Sequence, residues 1–491
     1  MNKKTVWGTA AVVLVAGYGA ATWYMGERAR SSYQEAMNDM GKLLGPEVLV
    51  SQQYTKGFWS SQGKLVLQWT PPASEDEQDA SGATATAAAQ PAIRFTVENT
   101  VRHGPLAGWR PAAAVVETRL IAVEGADDHV RKTFAKVSAP TLTTVRHLTG
   151  SHDFALALPA GEVGEGEELV RWQSLVYRMK VNAGASRVHG DFDWPEFTMD
   201  VADKSEDDDR PAAAPAQRLA FALQGMKGEF KVQLEDGLWL LAPGSGKGTI
   251  GKLAITRAAG AAPGVAPAAP EPMVALRDLS YGVTIARNGA HLGWVTTMQG
   301  KGSVGPVALE SLELNETVSR IDVEAVKLVQ KALLDAYKTD PSTAVAAVEA
   351  PWIASLMDAV PKFVAALPAY AMKLSAKVDG EQGELEYGAE LKRVPDAVQI
   401  AEGAWGPALL KSSAVHASMR LPKAWLPRLA QAAGQQAPKP EDINALVGMA
   451  EAQGYIQQDA THLTSAVRME DGKVGAQRQG CRPAVWPQVI E

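Results

Sequence analysis

A long run without charged residues near the N-terminus constrains this chain more than any other feature. It extends from Thr5 to Gly26 and is preceded by Lys3 and Lys4. A helix crosses a bilayer with about 20 mostly apolar residues, and this run is long enough. The sequence therefore predicts a transmembrane anchor over residues 1–26, with the rest of the chain as one polar-surfaced body.

A cleaved signal peptide is the alternative interpretation, because small residues at Gly19 and Ala21 suit cleavage. However, Trp23, Tyr24 and Met25 prolong the apolar run, and aromatic residues are typical of a membrane interface. We therefore favour an uncleaved signal-anchor. Basic residues flank both ends and leave the orientation open, but large domains translocate largely regardless of charge. We expect the short tail inside the cell and the body outside it.

The totals exclude some classes of protein. With 491 residues and a formal net charge of −7, the chain shows no basic surplus typical of nucleic-acid binding. Hydrophobic residues make up 46% of the chain, enough for a substantial core. A single cysteine, Cys481, fits an export compartment without disulfides but indicates little by itself.

Residues 27–46 predict a juxtamembrane helix that packs on the body. Its apolar residues recur at helical spacing, and Gly45-Pro46 ends it. These residues are Tyr33, Met37, Met40 and Leu44.

Residues 47–320 read as a β-rich region. Apolar residues alternate with polar ones; for example, Ile93, Phe95 and Val97 are expected to face away from Thr96. The pairs Asp236-Gly237 and Asn288-Gly289 predict hairpin turns. This pattern is typical of an antiparallel meander. The same alternation recurs at residues 65–69, 175–181 and 230–234.

Three low-complexity tracts interrupt the β-rich region. They cover residues 73–90, 202–217 and 257–272 and are rich in Ala, Pro, Gly and acidic residues. Such composition does not support packing, so we expect mobile loops inserted at hairpin tips.

Residues 321–491 mix helices with hairpins packed on the same body. Asp322 predicts an N-cap, a second helix runs from about Pro351 to Leu367, and a third covers about 441–453. Hairpins are predicted around residues 379–383 and at Asp471-Gly472, with another strand over 415–421. Late helices among strands indicate an α+β fold. The second helix carries one apolar stripe: Trp352, Leu356, Val360, Phe363 and Leu367.

Three short motifs follow the anchor. They are Tyr54, the turn Lys56-Gly57-Phe58-Trp59 with the polar pair Ser60-Ser61, and His103-Gly104-Pro105. They resemble motifs of the YdgA-like family of bacterial envelope proteins, in which a tyrosine, a basic-Gly-aromatic turn and a small polar pair follow a short anchor. The resemblance implies a protein of the bacterial inner membrane with its body in the periplasm, and it brings no established reaction.

The structural reading of these motifs is the stronger one. Gly104 permits unusual backbone angles, Pro105 fixes the next φ, and His103 caps the turn. The segment 57–59 is expected to join the body to its anchor, with a membrane-interface role as the alternative.

No pattern predicts a catalytic, cofactor-binding or metal-binding residue. The glycines of 300–305 match G-x-G-x-x-G, but a strand-like segment follows them where dinucleotide binding needs a helix. Lys247 lies in a segment similar to a phosphate loop that lacks its first glycine and its Ser or Thr. Ser60 and Ser61 lack the G-x-S-x-G context of an esterase. Two acidic clusters would need further ligands from elsewhere to bind a metal: Asp127, Asp128 and His129, and His189, Asp191 and Asp193.

These observations predict a non-enzymatic envelope protein that binds or scaffolds lipid or an envelope partner. The alternative is an envelope hydrolase whose carboxylates or histidine come together from separate strands. The apolar stripe of the second late helix either closes the core or lines a groove for acyl chains or an apolar partner segment.

Overall fold

A computed structural model describes most of the chain and divides it into two compact units. Unit 1 comprises Met1–Glu206, Ala222–Gly246 and Val326–Asp358, and unit 2 comprises Asp207–Phe221, Lys247–Ala325 and Ala359–Glu491. The described residues are 3–45, 47–70, 92–126, 131–132, 135–165, 168–203, 217–258, 270–339, 358–396, 405–428 and 440–476.

The N-terminal segment is one helix, α1, that extends without a break over Lys3–Leu44. The sequence predicts separate anchor and juxtamembrane helices, but no helix-breaking residue divides them, so they form a single rod. The predicted stop is confirmed, because Gly45 adopts a φ of +81° and donates its N–H to the Gly41 carbonyl at 2.9 Å. Among the described residues, no helix is both long and apolar enough to cross a membrane.

Unit 1 contains an antiparallel meander that begins directly after α1. The spatial order is β1-β2-β3-β4-β5-β6-β9-β10, and β10 pairs with β9 through its first half and with β8 through its second. A β7–β8 hairpin completes it. The strands are β1 Leu49–Thr55, β2 Ser60–Trp69, β3 Ile93–His103, β4 Ala114–Glu124, β5 Thr141–Arg146, β6 His152–Leu158, β7 Gly161–Glu165, β8 Glu168–Trp172, β9 Leu175–Val181 and β10 Arg187–Asp203.

Unit 2 contains a second antiparallel meander. Its order is β13-β14-β15-β16-β17-β18-β20, with β19 and β21 pairing with different parts of β20. The remaining strands of the chain are β11 Gln217–Gln233, β12 Gly244–Ala258, β13 Glu271–Asn288, β14 His291–Val304, β15 Val307–Asp322, β16 Ala369–Val378, β17 Glu381–Leu391, β18 Ser413–Pro422, β19 Gln457–Gln458, β20 His462–Glu470 and β21 Lys473–Ala476.

The later helices are α2 Val323–Thr339, α3 Val360–Ala365, α4 Trp405–Ser412 and α5 Pro440–Ala452. The predicted cap of α2 is confirmed, since Asp322 Oδ1 accepts the Ala325 N–H at 2.8 Å. The α+β prediction is therefore supported in its coarse form: antiparallel strands dominate, with an N-terminal helix and shorter helices after them.

The predicted helix over 351–367 needs correction. Residues 351–357 lie outside the described part, and α3 covers only six residues, with Pro361 in its first turn. Proline there begins a helix rather than bending it. Leu367 follows the helix with a φ of +52°, and its carbonyl accepts a hydrogen bond from Arg320 Nε at 2.6 Å, so it does not continue a helical stripe.

Hairpin turns fall at the predicted positions with small shifts. Asp379-Gly380 alone joins β16 to β17, which is tighter than the predicted loop 379–383. The β13–β14 turn is Gly289-Ala290, one residue beyond the predicted pair. In β3 the register shifts between Thr96 and Val97, and Thr96 is buried, contrary to the predicted alternation.

The three low-complexity tracts lie mostly outside the described residues. Each falls between consecutive strands, and the first separates Trp69 from Ile93, which pair with each other across β2 and β3. Their predicted mobility stays a prediction.

Candidate functional site

The short motifs at residues 54–61 and 103–105 come together where α1 meets the first three strands. Strands β1, β2 and β3 are antiparallel neighbours, so the β1–β2 turn lies beside the end of β3. Ser60 pairs with Arg102, and the His103 N–H donates to the Trp59 carbonyl at 3.2 Å. Sheet topology therefore brings the segments 54–61 and 103–105 to one edge, against α1.

Glycines allow the close approach of α1 to these strands. A Cβ added at Gly26 would lie 2.6 Å from His103 Cε1, and one at Gly63 would lie 2.4 Å from the Tyr33 hydroxyl. A Cβ at Gly104, whose φ is +123°, would lie 3.0 Å from Thr22 Oγ1. The helix residue Gly26 packs against a strand side chain, and Gly63 of β2 and Gly104, just after β3, pack against helix side chains, so the two surfaces interlock.

A buried Ser–His hydrogen bond lies at the centre of this interface. Ser61 Oγ and His103 Nε2 are 3.2 Å apart, and the Gly57 N–H donates to Ser61 Oγ at 3.4 Å. Burial is the main cause that lowers the pKa of His103; the charge of Lys56 also lowers it, while the backbone of Thr22 and of Gly57 opposes the shift. Burial under α1 therefore favours the neutral imidazole.

This pair has the composition of a nucleophile and its base. Ser61 is only 1% exposed and His103 is also buried. Both side chains are therefore closed to solvent in the docked arrangement of α1. The pair links α1, the 57–61 turn and β3 into one structure.

A second polar contact stabilises the next turns of α1. The Asn99 side-chain N–H donates to the Tyr33 hydroxyl at 3.2 Å, and the Tyr33 and Tyr54 rings lie 4.8 Å apart. Burial raises the pKa of both tyrosines. Met37 is buried further along the same face, so the interface follows α1 for several turns.

Aromatic residues of α1 and of the β1–β2 turn cluster where α1 first contacts the strands. The Tyr18 and Trp59 rings lie 5.7 Å apart, and Lys56 Nζ lies 5.2 Å from the centre of the Trp23 ring while forming an ion pair with Glu27. About half of each of the side chains of Trp23, Tyr24, Phe58 and Trp59 is exposed. We call Tyr18, Trp23, Tyr24, Phe58 and Trp59 the aromatic collar.

The other sequence candidates do not form sites in the described part of the chain. Asp191 pairs with Arg178 at 2.9 Å and Asp193 with Lys227 at 3.2 Å, while His189 is exposed. No group of three metal-binding side chains occurs among the described residues. Asp127, Asp128, His129 and Cys481 lie outside that part.

The glycine-rich segments are parts of strands and turns. Residues 300–304 belong to β14, and Gly305-Pro306 turns the chain into β15, which confirms the predicted glycine-rich hairpin. Lys247 lies in β12, where no helix N-terminus follows it. Neither segment offers the strand–loop–helix geometry that binds phosphate.

An open depression on β3 and β4 is polar but electrically balanced. Glu117 interacts with both Arg102 and Arg119, and these side chains line the depression with Glu98 and Thr100. The two acids and two arginines offset each other, so the depression has no net charge to attract a ligand.

Of the candidate groove residues, Trp352 and Leu356 lie outside the described part. Val360, Phe363 and Leu367 are partly buried, beside the buried Val364. The groove therefore stays a prediction.

Several interface residues belong to no motif and were not predicted. Thr22, Gly26 and Asn99 lie at the interface with the motif residues, together with Tyr33, which was predicted to pack on the body. The usable signal was a polar residue and a glycine four apart at the end of an apolar run, since residues at that spacing share a helix face.

Comparison with known families places the chain among bacterial proteins without an assigned role. The family model described as a bacterial protein of unknown function (DUF945) matches residues 1–476. No curated protein and no solved structure matches the chain.

Proposed function

The chain belongs to the bacterial DUF945 family of unknown function, and we propose that it is a membrane-anchored envelope protein that binds or scaffolds lipid or an envelope partner. One observation carries the proposal: α1 is a single helix whose charge-free N-terminal part continues directly into a part locked onto the strands. Such a helix would hold the first strands of unit 1 at a fixed distance and orientation relative to the surroundings of its first turns.

The charge-free stretch of α1 before its docked part has a length that suits a bilayer. Thr22 is fully buried against the strands, and the charge-free residues 5–21 precede it. At 1.5 Å per residue they span roughly 25 Å, near the lower end of what a membrane helix needs. The aromatic collar begins at Tyr18, near the end of this stretch, as is typical of aromatic residues at a membrane interface.

The charges around the collar support an interfacial position. Lys56 lies over Trp23, and the Arg28 guanidinium carbon lies 5.7 Å from the centre of the Tyr24 ring. Aromatic rings beside long cationic side chains are typical of the boundary between lipid and water. With the YdgA-like motifs, this supports an inner-membrane anchor with the body in the periplasm.

A topology experiment tests the proposal. A reporter that is active only in the periplasm, fused after Glu491, should be active in intact cells, and the purified protein should retain Met1. A matched fusion to a reporter active only in the cytoplasm should be silent. Recovery of a chain that begins near Thr22 would contradict the anchor, and the reverse reporter pattern would contradict the orientation.

The ligand that we propose is lipid or an apolar segment of an envelope partner, bound near α3. Phe363 is partly exposed there, next to the buried Val364. A photoactivatable fatty acid should label the full chain near Phe363, and Phe363→Asp should remove the labelling while circular dichroism stays unchanged. Labelling that is equal in both proteins would contradict this assignment.

A further inference from the structure

The loop that follows His103 exposes two large apolar side chains next to the interface. Trp109 is 94% exposed and Leu106 is 49% exposed. Isolated exposed apolar residues are common, but a nearly fully exposed tryptophan beside a second apolar side chain, close to an aromatic collar, indicates an interaction surface. We call residues 105–110 the tryptophan loop.

The exposure is imposed by an ordered backbone. The Ala107 N–H donates to the Gly104 carbonyl at 3.1 Å, and the Trp109 N–H donates to the Leu106 carbonyl at the same distance. Ala107 is buried with Ala112, Val115 and Val145 beneath the loop. The side chain of Trp109 therefore cannot turn inward without breaking this support.

Backbone strain points the same way. Gly108 has a φ of +59° and Trp109 a φ of +63°. A non-glycine residue with positive φ is uncommon, and an aromatic one is held there only where its surroundings fix it. This conformation keeps an apolar ring in water, so no packing within the described chain compensates for the strain.

The tryptophan loop begins at the contact between α1 and the strands. Gly104, one residue before the loop, abuts Thr22, and Thr22 precedes Trp23 of the collar. The neighbouring His103 N–H binds the Trp59 carbonyl, and Trp59 is also a collar residue. The tryptophan loop thus starts next to the part of α1 where the charge-free run ends, on the same stretch of helix that carries the collar residue Trp23.

From this placement we propose that the tryptophan loop is a second membrane contact, which inserts Trp109 and Leu106 into the bilayer interface beside the anchor. The inference rests on the proposed function and adds a surface to it. A lipid surface is the favoured occupant because the loop is continuous with the collar, and because exposed Arg110 places a cation beside Trp109. Anchor and loop together would fix the tilt of unit 1 over the membrane.

The test uses the full chain with Cys481→Ser, reconstituted into vesicles of neutral and anionic phospholipid. An environment-sensitive fluorophore is attached to Trp109→Cys or, as a matched control, to Trp239→Cys. Trp239 is also an exposed tryptophan, 47% accessible, on a different turn. Flotation of the vesicles reports the anchor separately, and circular dichroism checks the fold of each variant.

The fluorophore at residue 109 should shift to the blue on reconstitution and be quenched by lipids that carry a shallow nitroxide, whereas that at 239 should do neither. Water-like emission at both positions in chains that float with vesicles would overturn the tryptophan loop proposal and leave the anchor intact. That result would indicate that the occupant of the tryptophan loop is a protein partner and not lipid. Chains that fail to float would overturn both proposals.

Discussion

Replacing Gly26 with alanine tests the interlock between α1 and the strands, because two physical effects predict opposite signs. Alanine is the better helix former by about 1 kcal/mol, so an isolated α1 would be stabilised. In the docked helix the new methyl group would lie 2.6 Å from His103 Cε1 and 2.9 Å from its Nδ1. The buried imidazole must then move.

The expected magnitude follows from what that movement breaks. Overpacking a tight interface costs about 1–3 kcal/mol, and losing the 3.2 Å hydrogen bond between Ser61 and His103 costs about 1 kcal/mol more. Subtracting the helix gain leaves a destabilisation of about 1–3 kcal/mol. Because about 1.4 kcal/mol corresponds to a factor of ten, docking should weaken by about 5- to 150-fold.

Native-state hydrogen exchange of the full chain in mild detergent gives the readout, as the protection of backbone amides in residues 27–44. Gly17→Ala is the control, because a Cβ at Gly17 meets no atom within 4 Å. Protection should fall with Gly26→Ala and be unchanged or rise with Gly17→Ala. In a His103→Ala background, Gly26→Ala should lose most of its effect. Equal behaviour of the two glycine variants would refute the interlock.

Three further predictions follow from the same structure and its sequence. Burial lowers the pKa of His103, so docking of α1 favours the neutral imidazole. Amide protection of α1 should be complete above about pH 6.5 and should decrease as the pH falls through the pKa of His103 in the folded protein. The variant His103→Asn should remove this pH dependence in the same exchange experiment. The side-chain oxygen of Gln330 accepts hydrogen bonds from the N–H groups of Trp239 and Leu240, and its side-chain N–H donates to the Gly237 carbonyl. Gln330→Ala should therefore destabilise this turn by about 2–4 kcal/mol. Unchanged amide protection at Trp239 would contradict this prediction. Deleting residues 74–89 should leave the melting temperature nearly unchanged, and a large decrease in a thermal scan would show that the tract packs.

Local structure was largely predictable because its determinants are local. Alternation of apolar residues indicated the strands, and Asp-Gly pairs indicated turns such as Asp379-Gly380, where both residues have positive φ. Asp322 and Gly45 indicated a helix start and a helix end for reasons of backbone hydrogen bonding alone. The bulge at Thr96 carried no such signal.

Contacts between distant parts of the chain could not be predicted. The motif residues Ser61 and His103 were identified separately, but their hydrogen bond depends on the pairing of β2 with β3. That His103 faces Gly26 depends on the docking angle of α1, which no residue pattern encodes. Gln330 lies about 90 residues from the turn that it stabilises, so a single sequence gives no sign of the contact.

The most direct test of the account follows the environment of α1 residue by residue. Single cysteines are placed along α1 in the full chain with Cys481→Ser, spin-labelled, reconstituted into vesicles, and probed with apolar oxygen and a polar relaxation agent. We expect oxygen to dominate over residues 6–16 and labels to be immobilised with helical periodicity over 22–37, where the glycine contacts lie. Water-like accessibility over 6–16 would contradict the anchor, and uniform mobility over 22–37 would contradict the docked helix.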